Sequence, residues 1–526
     1  MLVRVLAVAS FIMLATPSAH GYAVTPALTL TELAGKVDLI AKATVIRVKP
    51  VKDPWFEPLT AYEVREAELR VVSTIKGTAG KTIKFRYYTY APRGVGTGYA
   101  PQAYTLEPGR TYLVFATGAG GGVFRPFSKR HTQKEDQGVV LAADTRHHRG
   151  KTVTEAVRGE LVALLASKSS DDVIAGITQL DEMSGGKLSS LRDFDRPATL
   201  AAIRPLLRAK SPEVASAAIS VFAVDSPYLD DAQAGYWFTG FGHGSILGLQ
   251  GRPIPSTSTA DAVVPELLDA ANRHPSPAVR ALAIRALGRS PGVPDPSVLA
   301  WTRDSDLEIR RAGILISASR QDRAPIRIAV TDKLPEVRLA AALAIGFAQD
   351  ATLLPLLGPL LGDPAPKTAA AAALAALSYP LTQSATLLEA NLRTGWKPLF
   401  VNALSKQDPV PYLRDLELTI EKQLAPSAFW GGTIPAAESW RILFAYVKGQ
   451  PAADVATGKL DRSLDALERM KWWSSSEPRS LYALYLVRKH HARAKKFRAA
   501  MKQTAGYDID YYFNMADKDP GQYIAP

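Results

Sequence analysis

One pattern returns at nearly constant spacing between residues 262 and 377, and it limits what the chain can fold into. Residues 272–288 read NRHPSPAVRALAIRALG, 304–318 read DSDLEIRRAGILISA and 332–346 read DKLPEVRLAAALAIG. A fainter copy, DPAPKTAAAAALAAL, occupies 363–377. Aligning Pro277, Leu307, Pro335 and Pro364 gives a step of roughly 28–30 residues, a period that marks stacked helical repeats. Ser276 and Asp363 are expected to cap helix starts. Pro277, Pro335 and Pro364 are expected in the first turn, where no backbone N–H is needed. Val279, Leu282, Ala283, Ala286 and Leu287 then share one helical face, as do Val337, Ala340, Ala341, Ala344 and Ile345. Small residues at Ala283, Ala312, Ala341 and Ala371 let neighbouring helices approach closely. Second apolar stretches, 264–268 and 353–361, lie between the copies. Two short helices per repeat, each too small to bury its own face, become stable by stacking. A non-repetitive helical domain rich in Ala and Leu is the alternative; recurrence of the Pro-x-Val-Arg phase, beyond composition alone, favours the repeat.

The pattern at 276–288 and 334–346 resembles HEAT repeats, particularly the short phycobilisome-lyase type. Ser211-Pro212-Glu213-Val214, followed by Ala215, Ala217 and Ala218, reads as an earlier copy, and Asp408-Pro409-Val410 as a degenerate later one. The resemblance covers about half the chain and implies an α-solenoid. It implies no particular reaction, because such repeats serve enzymes, adaptors and scaffolds alike, and no bilin-lyase site can be located in these residues.

A chain of 526 residues exceeds what one compact core supports, so several domains or an elongated array are expected. The formal net charge of +13 permits attraction to nucleic acid, anionic lipid or acidic polysaccharide and requires none of them. Arg4 precedes an apolar run from Val5 to Ala15, then Pro17, Ser18, Ala19, His20 and Gly21, the layout of a secretory signal. Residues 1–21 are therefore expected to be removed, and the mature chain to be periplasmic or extracellular and bacterial. An uncleaved anchor is the alternative, though the run is short for a membrane span and no later stretch offers one. Cysteine is absent, which excludes disulfides, thiolate metal sites, a cysteine nucleophile and N-terminal cysteine acylation. An exported chain without disulfides must rely on packing.

Between about residues 29 and 143 the period changes to that of strands. Segments 38–48, 62–75, 81–90 and 111–116 are rich in β-branched and aromatic residues, with turns at Lys76-Gly77 and Pro108-Gly109. Closing them into a small barrel removes exposed edges. The order of Ala41-Lys42-Ala43-Thr44-Val45, then Leu69-Arg70-Val71-Val72 leading to Ile75-Lys76-Gly77, then the run from Leu106 through Gly109 to Phe115, resembles the netrin- or tissue-inhibitor-like variant of the OB fold. That resemblance spans about a fifth of the chain. The N-terminal cysteine of its protease-inhibiting members is missing, so inhibition by their mechanism is not expected. Lys84, Arg86, Tyr87, Tyr88 and Tyr90 interleave bases with aromatics as a stacking platform would; the favoured reading is an amphipathic strand with its tyrosines packed inside.

The fold class expected is thus α+β and multidomain: an OB-like β-barrel at 22–150, a HEAT-like α-solenoid at 151–425 interrupted by a Gly- and aromatic-rich loop at about 228–258, and a helical cap and tail at 426–526. Within the loop, Tyr236, Trp237, Phe238, Phe241 and His243 are spaced by glycines. They either cap the solenoid surface or present flat faces to a ligand. The glycines match neither a P-loop nor a dinucleotide fingerprint, and Ser245 lacks a nucleophile elbow. The eight histidines show no metal-ligand spacing, and His147-His148 and His490-His491 read as solvated pairs. Near the C-terminus, Arg488, Lys489, Arg493, Lys495, Lys496 and Arg498 lie in a stretch without acids between Glu477 and Asp508. They form either a face for anionic lipid or wall polymer, or the solvated side of a capping helix. The aspartates Asp508, Asp510, Asp517 and Asp519 leave the calcium-loop pattern incomplete.

Function is expected to be binding without catalysis, cofactor or metal: a partner protein or envelope polysaccharide held on the solenoid, with nucleic acid not expected. The competing class is an envelope enzyme acting on wall glycan or peptide around Trp237 and His243, for which only Asp225, Asp230 and Asp231 are near in sequence.

Overall fold

The computed structural model describes residues 28–59, 62–91, 103–127, 138–184, 193–223, 259–288, 290, 292–422, 434–468, 481–482, 484–485, 491–504 and 509–519. The expected signal at 1–21 and the loop at about 228–258 lie outside them. Residue contacts divide the chain into two compact units, Met1–Val224 and Asp225–Pro526.

The first unit opens with helix α1, Leu30–Lys36, whose start is fixed by a capping box: Thr29 accepts from the Glu32 amide while Glu32 returns to the Thr29 backbone. Strands β1 (Leu39–Pro50), β2 (Tyr62–Lys76), β3 (Thr82–Tyr90), β4 (Thr111–Gly118), β5 (Val123–Arg125) and β6 (Val139–Leu141) follow. Four were readable from period-two patterning; β5 and β6, three residues each, carry too little of it. The sheet closes on itself in the order β1-β2-β3-β5-β4-β1, with β6 on the free side of β4. Its β3–β5 pairing is parallel and only two residues long, so the ring is the partly open kind that OB folds use. Ala41, Ala43, Leu69, Phe85, Tyr87, Leu113 and Phe115 are buried in it.

The Ile75-Lys76-Gly77 turn has a mechanical reason. Lys76 Nζ donates to the Ala34 and Val37 carbonyls, closing the C-terminal end of α1. Gly77 has φ +78°, and a Cβ there would sit 2.1 Å from the Asp38 carbonyl oxygen. No other residue fits.

Helices α2 (Val153–Leu164), α3 (Ser170–Met183), α4 (Arg196–Ile203) and α5 (Pro212–Phe222) belong to the same unit. Strands give way to helices between Leu141 and Val153, and the compact unit continues past that change. Lys42 on β1 and Glu160 on α2, both fully buried, join barrel to helix at 2.8 Å. Lys42 Nζ also donates to Thr145 Oγ1 (2.6 Å) and the His147 carbonyl (3.2 Å), and the Ala143 amide donates to Glu160 Oε2 (3.1 Å). Arg110, on the Pro108-Gly109 turn, pairs with Asp172 of α3. Burying two charges costs several kcal/mol per ion, so the Lys42–Glu160 pair fixes how barrel and helix dock more than it adds net stability.

The second unit is helical throughout its described residues. Its repeats pair α6 (Val264–Arg273) with α7 (Pro277–Leu287), α8 (Asp295–Trp301) with α9 (Leu307–Ser317), α10 (Ala324–Ala329) with α11 (Pro335–Ala348), and α12 (Leu357–Leu361) with α13 (Pro366–Ser378). The second members stack on one another in order: α7 on α9, α9 on α11, α11 on α13. Residues two positions after each helix start, Val279, Ile309, Val337 and Thr368, are buried. Those six after it, Ala283, Gly313, Ala341 and Ala372, are the small ones that permit close approach. A Cβ on Gly313 would lie 2.8 Å from the Thr302 amide nitrogen.

The fourth copy starts at Pro366, not Pro364. Ala365 is its N-cap, so Asp363 does not cap the helix. The feature kept in register is the residue three before each helix start, which accepts the amide of the N-cap residue: His274 from Ser276, Asp304 from Asp306, Asp332 from Leu334 and Asp363 from Ala365. Ser276 is an N-cap by position, without a side-chain cap bond. Arg280, Arg310 and Arg338, three after each start, complete the joint. Arg280 reaches Asp304 of the next repeat (3.2 Å), and Arg338 makes a two-point pair with Asp363 (2.6 and 2.9 Å). Arg310 and Arg338 also donate to the carbonyls of Asp304 and Asp332 respectively. In the faint copy Thr368 replaces the Val and donates to the Pro335 carbonyl, and Ala369 replaces the Arg. Further on, α14 (Leu381–Ala390), α15 (Lys397–Ser405), α16 (Leu413–Lys422), α17 (Ile434–Gly449), α18 (Ala452–Ala456), α19 (Asp461–Glu468), α20 (His491–Thr504) and α21 (Ile509–Lys518) continue the helical region. Trp440, Leu443, Phe444, Leu464, Phe497 and Phe513 share a core there.

Two outcomes follow from these joints. Lys42→Met or Glu160→Leu alone should destabilise the first unit by about 3–5 kcal/mol by stranding a buried charge, while the double variant should recover most of the loss, measured by urea unfolding. The hydrogen bonds from Arg338 hold the Asp363 carboxyl below its ordinary value. Its stabilisation is therefore present at neutral pH and lost as pH falls through the depressed folded value. Asp363→Asn should lower the melting temperature at pH 7, and the gap to the parent should narrow below about pH 4.

Candidate binding surface

Strand alternation puts Lys84, Arg86, Tyr88 and Tyr90 on the outer face of β3 and Ile83, Phe85 and Tyr87 inside. Tyr87 stacks with Phe85 in the interior (5.7 Å between centroids), and burial pushes its phenol up to about 12. Tyr88 is also buried, but from the outer side: the segment after β1 folds back, Phe56 packs edge-on to Tyr88 (4.8 Å), and the Tyr88 hydroxyl donates to the Glu57 carbonyl (2.8 Å). The five-residue stacking platform is therefore not formed. Of its rings, Tyr90 alone is exposed, at 56%.

What the outer face does assemble is a charged and aromatic shelf. On β2, Glu66 stands opposite Arg86 and Tyr62 opposite Tyr90. Asp53, with a fully buried side chain, accepts from Arg86 Nη1 (3.1 Å), from Arg125 Nε and Nη2 (2.9 Å each) and from the Trp55 amide (3.0 Å). Arg86 Nε donates to Glu66 (2.8 Å), which also meets Lys49 at 3.3 Å. Burial pushes the Asp53 carboxyl up, but the Trp55 amide and the two guanidiniums outweigh it and hold it below its ordinary value. The Arg125 guanidinium lies 5.5 Å over the Trp55 ring. Trp55 meets Phe56 at 4.7 Å, and Tyr62 bridges Tyr88 (5.8 Å) and Tyr90 (5.3 Å). Two guanidiniums are thus held rigid by one buried acid beside a row of rings. The period-two spacing of 84, 86, 88 and 90 was visible in sequence; Asp53, between Lys52 and Pro54, gave no sign of its role.

Of the sequence-derived candidates, Tyr236, Trp237, Phe238, Phe241 and His243 lie outside the described residues, as do Arg488 and Lys489. Arg493 is spent inside the fold, pairing with Asp461 (3.1 Å) and Asp465 (2.7 Å) of α19. Arg498 pairs with Asp510 and Asp517 and covers the Tyr482 and Phe513 rings. Lys495 and Lys496 face solvent. Of the tail aspartates, Asp510 and Asp517 neutralise Arg498, and among the described residues no group of three or more His, Cys, Asp or Glu side chains is placed to hold a metal. His147 is exposed; His148 Nδ1 lies 3.3 Å from Ser73 Oγ.

No family model matches the chain, and no curated protein matches it in sequence. Among solved structures, the chain is similar to one from a study of Kap95p bound to RanGDP in nuclear import complex assembly, at 14% identity and TM-score 0.30. That match covers 70% of this chain and 45% of the other, so the chain spans less than half of it. An engineered protein matches at 16% identity and TM-score 0.21, over 70% of this chain and 98% of the other. Likenesses this distant assign neither a fold nor a partner. Among the described residues no helix is long and apolar enough to cross a membrane.

Removing the acid that holds the shelf should loosen it. Asp53→Asn should cost about 3 kcal/mol in urea unfolding, because two part-buried guanidiniums lose a charged partner. Lys84→Ala, on the same face and exposed, should change stability by less than about 0.5 kcal/mol.

Proposed function

We propose that the protein is an exported, non-catalytic scaffold that holds a partner protein or envelope polymer on its helical repeats. The observation carrying this reading is the stack of α7, α9, α11 and α13, whose shared core runs through four repeats without a break. Repeats joined in this way present long, nearly rigid surfaces suited to recognition. The segment around Tyr236, Trp237, Phe238, Phe241 and His243 serves as the gripping loop, and the outer face of the barrel as a second contact. Lys495 and Lys496, with Arg488 and Lys489, supply a peripheral contact to an anionic surface. The signal-like residues 1–21 are the support for export, and a bacterial envelope is the compartment that fits an exported chain lacking cysteine.

The loop is the discriminating element. Purified full-length chain added to washed bacterial envelopes should sediment with them, and Trp237→Ala with Phe241→Ala should cut the retained fraction about tenfold, a loss of the size that buried aromatic anchors carry. Equal retention of parent and variant would remove the loop from the reading, and no retention of the parent would remove the scaffold role.

A further inference from the structure

We propose that the barrel shelf around Arg86 and Arg125 is a binding site for a carboxylated polysaccharide. This rests on reading the chain as a binding protein and names the chemistry of one ligand. Both guanidiniums are fixed before any ligand arrives: Asp53 holds Nε and Nη2 of Arg125, and Asp53 with Glu66 holds Nη1 and Nε of Arg86. Among the described residues, Nη1 of Arg125 and Nη2 of Arg86 keep donors without a protein acceptor, and the two side chains remain 22% and 25% exposed. A planar donor edge facing water is the geometry that a carboxylate meets with parallel hydrogen bonds.

Beside those edges stand rings suited to the apolar face of a sugar. Tyr90 is largely exposed, Tyr62 tilts 36° from it at 5.3 Å, and Trp55 is half-buried under Arg125. Phe56 and Tyr88 form the floor that keeps them from collapsing. The charge on the face is mixed. Lys49, Arg86 and Arg125 are met by Asp53 and Glu66, while Lys84 stands opposite Glu68, which pairs with Arg47. That modest positive excess suits widely spaced carboxylates on neutral rings. A continuous phosphate chain would meet Glu66 and Glu68 along β2, and it lacks the long basic track that polyanion binding needs.

Calorimetric titration of the full-length chain tests this with a hexamer of galacturonate, the neutral maltohexaose and a single-stranded oligonucleotide as probes. The expected result is saturable binding of the galacturonate hexamer only, weakened about tenfold by Tyr90→Ala and by Arg125→Gln. Tyr90 is exposed, so its variant should keep the parent melting temperature and serve as the reading if Arg125→Gln fails to fold. No binding of the acidic hexamer, equal binding of the neutral one, tighter binding of the oligonucleotide, or unchanged affinity in Tyr90→Ala would each overturn the proposal. Loss of envelope retention with hexamer binding intact would speak to the loop and not the shelf, so the two readings fail separately.

Discussion

Helices of five to fourteen residues do not hold in water by themselves, because the first turn costs more than its single hydrogen bond returns. Everything in the second unit depends on removing that isolation. The first three repeats do so with the same few positions: an aliphatic two residues into the helix, a small residue six in, and an arginine between that reaches out of the helix altogether; the fourth keeps the small residue and puts Thr368 and Ala369 at the other two positions. Burying a Val or Ile at the first position contributes on the order of 1.5–3 kcal/mol. The small residues add little area of their own, but they let the next helix come close enough for the aliphatics to pack.

The arginine and aspartate then fix the step between repeats. One carboxylate, Asp363, accepts the amide of the next N-cap and both arms of Arg338, so helix start and repeat spacing are set by the same side chain. Proline at the first helical position fits this joint because its missing N–H has no bond to lose there. The first unit solves its own docking problem differently. Lys42 and Glu160 are wholly out of solvent, and their hydrogen bonds to Thr145, His147 and Ala143 make one approach of helix to barrel satisfiable and others costly.

These differences decide how much was legible in the residues alone. The repeat was readable because the arginine and aliphatic recur at fixed offsets, and strands β1 to β4 because they are long enough to alternate visibly. The start of α13 is ambiguous in the sequence because Asp-Pro-Ala-Pro offers two prolines, and only the aspartate's partner, Arg338, twenty-five residues earlier, selects the second. Tyr88 faces outward by alternation yet is buried, since the segment after β1 folds back over it. The acid-free stretch near the C-terminus looked cationic because the partners of Arg493 and Arg498 lie at 461–465 and 510–517, outside any window that treats charge as local.

The same accounting changes what the net charge of +13 means. A guanidinium with every nitrogen engaged inside the fold is structural, whatever it adds to the total. Arg338 is that case: its Nε and Nη2 meet Asp363, its Nη1 meets two carbonyls, and its side chain is only 15% exposed. Arg86 and Arg125 are as firmly held, but each keeps one amino group without a protein acceptor among the described residues. Recognition by a protein like this one therefore turns on which cations are left half-satisfied at a surface, a quantity set by the placement of single acids such as Asp53 and Asp363 and not by the surplus of bases over acids.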